Sequence, residues 1–297
     1  MTPVGTWLLA IRPATLPAAV SGVVVGVGAA LAVGAPFRAD MALGCLGVAL
    51  LLQIAANLAN DLSDFRRGVD TPARMGPVRV AAAGLVTERQ LEIAIGLTIL
   101  LSMLAGIPLV IEGGPVLLGL GALAIVAALA YSGGPWRYGY RALGELFVFL
   151  FFGFVAVVGT AWLQAGRMHP LFVGAAVPVG ALITAILVVN NLRDLPTDAA
   201  AGKRTLAVVL GRRGTVAEYG VLIAAAFIVP VILVATGTAL PALLPLLAAP
   251  LALPLWKTVR TFSEPRELNA VLKATARLSL IYGILFAAGL GVAGAMR

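Results

Sequence analysis

The feature that most limits what this chain can become is an apolar run, Met41 to Ala56, that ends abruptly in NLANDLSDFRRGVD, Asn57 to Asp70. Apolar helices do not normally end on three carboxylates, Asp61, Asp64 and Asp70, set against Arg66 and Arg67. At about 100° per residue, Asn57, Asp61 and Asp64 fall within roughly 60° of one another on a helix, with Asn60 beside them. Their oxygens converge. The device recurs further along, where the run Leu171 to Val189 leads into NNLRDLPTDAAAGKRT. Asn190, Asp194 and Asp198 there stand at i, i+4 and i+8, ahead of Lys203 and Arg204. Pro196 disfavours helix at the residue before it, so the helix is expected to break after Asp194 and leave Asp198 on a following turn.

Such runs fill the chain. It is 61% hydrophobic and 11% charged, with a mean hydropathy of +1.02, whereas a soluble domain carries about 25% charged residues. Crossing a hydrocarbon core of roughly 30 Å takes about 20 apolar residues. Nine windows qualify: 15–35, 41–60, 89–110, 114–132, 142–164, 170–190, 216–236, 239–256 and 275–295. The expectation is an all-α, polytopic bundle of nine transmembrane helices with cytoplasmic cap loops, forming a single domain over 1–297. The first residues lack the charged start and small-residue cleavage site of a signal peptide and are read as mature sequence. Cys45, the one cysteine, excludes a disulfide framework and a cysteine-based metal site.

Charge orients this bundle. With the N-terminus on one side, all of the 21 Lys and Arg residues except Arg38, Arg167 and Arg297 fall on that same side. The positive-inside rule makes it cytoplasmic, and both acidic clusters lie there. The net charge of +8 then reflects topology and contact with anionic headgroups, with no nucleic-acid partner implied.

Arg12 in RPATLPAA is either a headgroup anchor or a residue at the mouth of the bundle. The segment 61–88 is too polar for a plain connector and is expected to cap a cavity, with 81–85 able to form a short interfacial helix. The turn YSGGPWRYGYRALGE, Tyr131 to Glu145, brings three aromatics, Arg137 and Arg141 together. It is either an interfacial belt or a place to stack a flat anionic substrate. Glu145, at the start of the next span, is expected to pair with an arginine, with a catalytic role as the alternative. FVFLFFGF, from Phe147, is either lipid-facing surface or the lining of a groove for a hydrocarbon tail. His169 faces the other side and is assigned no chemistry.

Carboxylates and amides mixed with arginines suit a magnesium-bridged diphosphate, because Mg²⁺ takes one or two carboxylates plus substrate phosphates and keeps several waters. Two clusters suggest two metal sites around one diphosphate, above an apolar bundle that shelters an isoprenoid tail. One cluster alone would read as a capped helix end neutralised by arginines. Two of the same character on one face argue for a site. A cation-coupled transporter is the alternative, although it would place isolated acids near the midplane.

These same residues resemble the UbiA superfamily of intramembrane aromatic prenyltransferases. Asn60, Asp61, Asp64 and Asp70 match its first aspartate-rich motif, and Asn190, Asn191, Asp194 and Asp198 its second. RPATLPAA, GPVRV and YSGGPWRYGYRALGE extend the likeness along the chain toward the naphthoate-accepting branch. The resemblance implies an integral protein of the bacterial cell membrane that joins polyprenyl diphosphate to dihydroxynaphthoate with loss of carbon dioxide, as a step of menaquinone synthesis. 4-Hydroxybenzoate is the main rival acceptor. It further implies Mg²⁺ on Asn60, Asp61, Asp64, Asp194 and Asp198, with Asp70, Asn190 and Asn191 in support. Asp64, Asp194 and Lys203 become the catalytic set. Arg67, Arg79, Lys203 and Arg204 are expected on the diphosphate, and Arg137 and Tyr138 on the aromatic acid.

Overall fold

The computed structural model describes residues 2–68, 75–76 and 78–296. Asp70 and Arg74 lie outside them. Ten α-helices account for most of the described residues: α1 Pro3–Ile11, α2 Leu16–Ala32, α3 Ala39–Arg66, α4 Glu88–Ala130, α5 Gly144–Val148, α6 Ala156–Ala165, α7 Pro170–Ala200, α8 Leu206–Ala235, α9 Ala249–Thr261 and α10 Leu268–Ala295. A π-helical stretch, Phe149–Val155, joins α5 to α6, and the proline-rich 3₁₀ segment Leu240–Ala248 leads into α9.

Eight helical segments among the described residues are long and apolar enough to cross a membrane, where the windows predicted nine. The difference lies in α4. Its 43 residues would stretch to about 65 Å as a straight helix, twice a hydrocarbon core. Gly114 interrupts it with φ 63° and ψ −152°, a conformation that is essentially glycine-only. Glu92 and Gly96 of the first limb then line one small hollow with Leu129 of the second limb, beside Ser63. The expected segments 89–110 and 114–132 are therefore two limbs of one element folded back at Gly114.

Helix α7 is the axis of the bundle. It is apolar on nearly every face and buried along most of its length, as an all-round hydrophobic helix must be. Helices α2, α8, α10 and the π-helical stretch surround it. Small residues set the spacing: a Cβ at Gly22 would lie 2.7 Å from the Ala156 side chain, and one at Gly26 would lie 2.6 Å from the Val157 carbonyl. Larger residues on α2 would push it off α6. By contrast α4 presents Leu97, Leu101, Val116, Leu123 and Val126 outward, the surface expected against lipid.

The charge-poor end of the bundle is tied by Arg38. Its guanidinium pairs with Glu112 at 2.6 Å, and its backbone N–H and carbonyl both bond the Gln164 amide at 2.7 Å. At the opposite end, α1 packs Ala10 with Leu58, Leu62, Val80 and Leu91 beneath the segment 79–86. That segment is a single turn closed by Gly84 (φ 66°), not the short helix expected over 81–85.

Candidate active site

The site grows from the last turns of α3. Asp64 is buried, and three groups from other segments reach it. Arg79 donates to Oδ2 at 2.8 Å, the Tyr140 hydroxyl donates to Oδ1 at 2.7 Å, and the Lys203 ammonium stands 3.8 Å from Oδ1. Asn60, one turn back, accepts at Oδ1 from Ser132 at 2.6 Å. Asp61 turns elsewhere. Its two oxygens accept the backbone N–H groups of Val80 and Ala81 at 3.1 and 3.3 Å, and it is not among the cavity-lining residues. A carboxylate so engaged anchors the cap over the site, and the metal role inferred for Asp61 by resemblance finds no support in this placement.

The second cluster stands on α7, which runs unbroken through Pro196 to Ala200. The break expected after Asp194 is absent, so Asp194 and Asp198 keep one helix face. Arg193, 1% exposed, grips both Asp194 oxygens at 2.8 and 2.6 Å and also donates to Asn190 Oδ1 and Asn269 Oδ1, each at 2.9 Å. Lys203 lies 3.5 Å from Asp198 and so stands between the two clusters. Asn191, which also lines the cavity, donates to Glu145 at 2.8 Å, in place of the arginine partner expected for Glu145.

The hub joining these parts is Tyr140. Besides bonding Asp64, its ring lies beneath three cations, with Lys203, Arg67 and Arg137 at 4.8, 5.4 and 5.8 Å from its centroid. Burial and the Asp64 carboxylate push its phenol above the ordinary range, so it remains a donor. Its backbone carbonyl accepts the Arg204 N–H at 3.2 Å, which ties the turn after α4 to the loop after α7. Arg204 itself is exposed, and neither it, Arg67 nor Arg137 lines the cavity. Tyr138 does line it, but its hydroxyl is spent on the Ala127 carbonyl at 2.8 Å and its ring stacks on Phe147 at 4.2 Å.

Below this polar end lies a cavity of about 800 Å³. Asn60, Asp64, Arg79, Asp194, Asp198 and Lys203 form its charged end, while Leu109, Leu117, Leu163, Phe151 and Phe152 line the remainder. Among the described residues, no three His, Cys, Asp or Glu side chains converge into a ready-made metal cage.

A charged pole above an apolar cavity, with the two Asn/Asp clusters facing across it, is accompanied by a match over residues 19–281 to the UbiA prenyltransferase family. The chain belongs to the UbiA prenyltransferase family. Curated relatives in this family include a 1,4-dihydroxy-2-naphthoate octaprenyltransferase of Mycobacterium tuberculosis, 43% identical over 285 residues and 96% of both chains. The Escherichia coli protein of the same name is 36% identical over 291 residues, covering 96% of this chain and 94% of that one. Among solved UbiA structures, a homolog from Aeropyrum pernix has a TM-score of 0.67 at 19% identity, over 98% of each chain. A homolog from Archaeoglobus fulgidus bound to GPP and Mg²⁺ has a TM-score of 0.64 at 18% identity, over 95% of this chain and 99% of that one. These last two show that the bundle is the UbiA fold.

Sequence reasoning missed Tyr140, Arg193 and Ser132. Tyr140 was treated as one aromatic among three. Arg193 was counted as ordinary inside-positive charge, although an arginine set between Asn190 and Asp194 inside an apolar helix was itself a signal. Ser132 carried none.

Proposed function

We propose that this chain transfers a polyprenyl group from its diphosphate to 1,4-dihydroxy-2-naphthoate with decarboxylation, giving the reduced, quinol form of demethylmenaquinone and diphosphate. The observation that carries the reading is the two-ended cavity: acids from α3 and α7 share one pole with Arg79 and Lys203, and the remainder is apolar. The names of relatives aligned along nearly the whole chain supply the acceptor.

In this reading Asn60, Asp64, Asp194 and Asp198 hold Mg²⁺, with Asn190 in support. When bound, Mg²⁺ supplies neutralisation of the charge that gathers on the departing diphosphate. Arg79 and Lys203 already stand at the carboxylates and are placed to take phosphate oxygens at the cavity's charged end. Arg193 holds the Asp194 carboxylate in one orientation through both of its oxygens. Tyr140 holds that of Asp64 through one. The apolar walls exclude water, so the allylic carbon meets the aromatic ring before it meets a hydroxide. The allylic C–O bond breaks, a ring carbon takes the prenyl group, and the C–CO₂ bond releases its electron pair to the ring. Carboxylate plus prenyl diphosphate become prenyl-naphthol, carbon dioxide and diphosphate with no net proton required. The charged pole is assigned to the cytoplasmic face of the cell membrane by the distribution of basic residues.

The test is product formation by purified protein in lipid, given polyprenyl diphosphate, Mg²⁺ and either dihydroxynaphthoate or 4-hydroxybenzoate. Decarboxylated prenyl-naphthol is expected from the unmutated protein alone. It should be abolished by chelation and restored by Mg²⁺, and Asp64→Ala and Asp194→Ala should form none. Product from hydroxybenzoate only would overturn the acceptor. Retention of full activity after chelation would overturn the metal assignment.

A further inference from the structure

One wall of the cavity is polar without belonging to the metal pole. Thr15, Gln53 and Asn57 all line it, and their hydrogen bonds determine which atoms remain. The Thr15 hydroxyl gives its proton to the Arg12 carbonyl at 3.0 Å, so its lone pairs can only accept. They accept from Asn57 Nδ2 at 2.9 Å and from Gln53 Nε2 at 3.1 Å. Asn57 Nδ2 also donates to the Ile11 carbonyl at 2.9 Å, which excludes the flipped amide. Both side chains are thereby oriented with nitrogen toward α1 and the turn after it. Their carbonyl oxygens take no hydrogen bond from any described residue, although Asn57 is only 5% exposed. Neither oxygen is sealed off as a fully buried, unpartnered atom; both belong to residues that line the cavity and stay open to a ligand's donor.

The scaffold that holds Thr15 is itself unusual. Arg12 adopts φ 57° and ψ 71°, a left-handed conformation uncommon for a residue other than glycine. Pro13 follows it and starts the turn that presents Thr15.

We propose that Gln53 and Asn57 use these two carbonyls to receive the two ring hydroxyls of the aromatic acceptor, which makes them specificity-determining residues; this deepens the function proposed above and rests on it. Positions i and i+4 on a helix carry their Cβ atoms about 5–6 Å apart, and the para-disposed oxygens of a 1,4-dihydroxy ring span a similar distance. Asn57 precedes Asn60 by one turn, about 4.5 Å of rise, so a ring held here lies next to the diphosphate end of the prenyl substrate. Two acceptor oxygens on one helix face suit phenols, which offer protons. Accepting those protons also leaves electron density on the ring oxygens, as a nucleophilic ring carbon requires.

The experiment compares kcat/KM for 1,4-dihydroxy-2-naphthoate with that for 1-hydroxy-2-naphthoate and for 4-hydroxy-2-naphthoate, in the unmutated protein, Gln53→Met, Thr15→Val and Thr15→Ser. The change in each ratio on mutation cancels the intrinsic reactivity of the rings. Sites built to bind a hydroxyl discriminate strongly against analogues that lack it, and the expected result is that Gln53→Met and Thr15→Val each narrow at least one ratio by roughly 10-fold or more. Thr15→Ser, which keeps the hydroxyl, should retain the ratios. Prenyl diphosphate affinity, measured by displacement without acceptor, should be unchanged in Gln53→Met and shows that this variant is folded. Unchanged ratios in Gln53→Met and Thr15→Val, with prenyl-naphthol still formed by the unmutated protein, would overturn this inference and leave the function standing. Failure of the unmutated protein to prenylate any naphthoate would overturn both.

Discussion

Tyr140 shows how one residue can connect the parts of a site. Its hydroxyl directs Asp64, its ring gathers Lys203, Arg67 and Arg137, and its carbonyl secures the loop that carries Lys203. Tyr140→Phe keeps the ring and the carbonyl and removes only the bond to the carboxylate. A hydrogen bond to a charged group contributes about 1.5–3 kcal/mol, so kcat/KM should fall roughly 10- to 100-fold with the fold intact, as steady-state kinetics against thermal unfolding would reveal. Unchanged kinetics would remove Tyr140 from the positioning role. Arg193 is a different case. Replacing it by methionine leaves Asp194 buried without its bidentate partner, and stranding one half of a buried pair costs about 3–5 kcal/mol. Arg193→Met is expected to melt well below the unmutated protein in detergent, and Arg193→Lys to recover only part of the loss, because lysine lacks the planar fork. Full recovery with lysine would mean that charge alone matters.

At the scale of elements, α4 and α7 each contain what sequence rules treat as a breaker, and the outcomes are opposite. Gly114 folds α4 back on itself, whereas Pro196 leaves α7 continuous. Pro196 lies exposed in the last turns of α7, while Gly114 sits at the charge-poor end with nothing within 4 Å of a built Cβ. Space is therefore no obstacle to a side chain at Gly114, and only its backbone angles object. Gly114→Ala should cost about 1–3 kcal/mol through that strain, seen as a lower unfolding temperature, while affinity for Mg²⁺ and prenyl diphosphate stays the same. A variant as stable as the unmutated protein would imply that the limb connection can relax to another conformation.

For the whole molecule, the assigned orientation makes a prediction that needs no enzymology. Phe37, at the charge-poor end, is 59% exposed, and Trp136, beside the charged pole, is 72% exposed. Cys45 is buried and contributes little background to thiol labelling. In intact cells a membrane-impermeant maleimide should modify Phe37→Cys and not Trp136→Cys, with the latter reacting only after permeabilisation. The opposite pattern would place the charged pole outside the cell and overturn the orientation.

Much of this protein could be read from its residues in order. Composition and the spacing of apolar windows determined a helical membrane bundle, because each helix must satisfy its own backbone in lipid and so announces itself locally. The two Asn/Asp clusters were legible for the same reason: Asn60 and Asp64, or Asp194 and Asp198, share a face through helical periodicity alone. What each polar side chain bonds to was decided by tertiary structure. Asp61 and Asp64 are three residues apart on one helix, yet one holds the cap and the other faces the cavity. Arg137 and Arg204 stop short of the cavity, and Tyr140, not Tyr138, holds the site together. Whether segments 89–110 and 114–132 are separate helices or limbs of one depended on a single glycine. The contrast has one cause: burial of apolar surface follows from local pattern, whereas a hydrogen-bond partner can come from anywhere in the chain, as when Thr15 meets Gln53 and Lys203 meets Asp64.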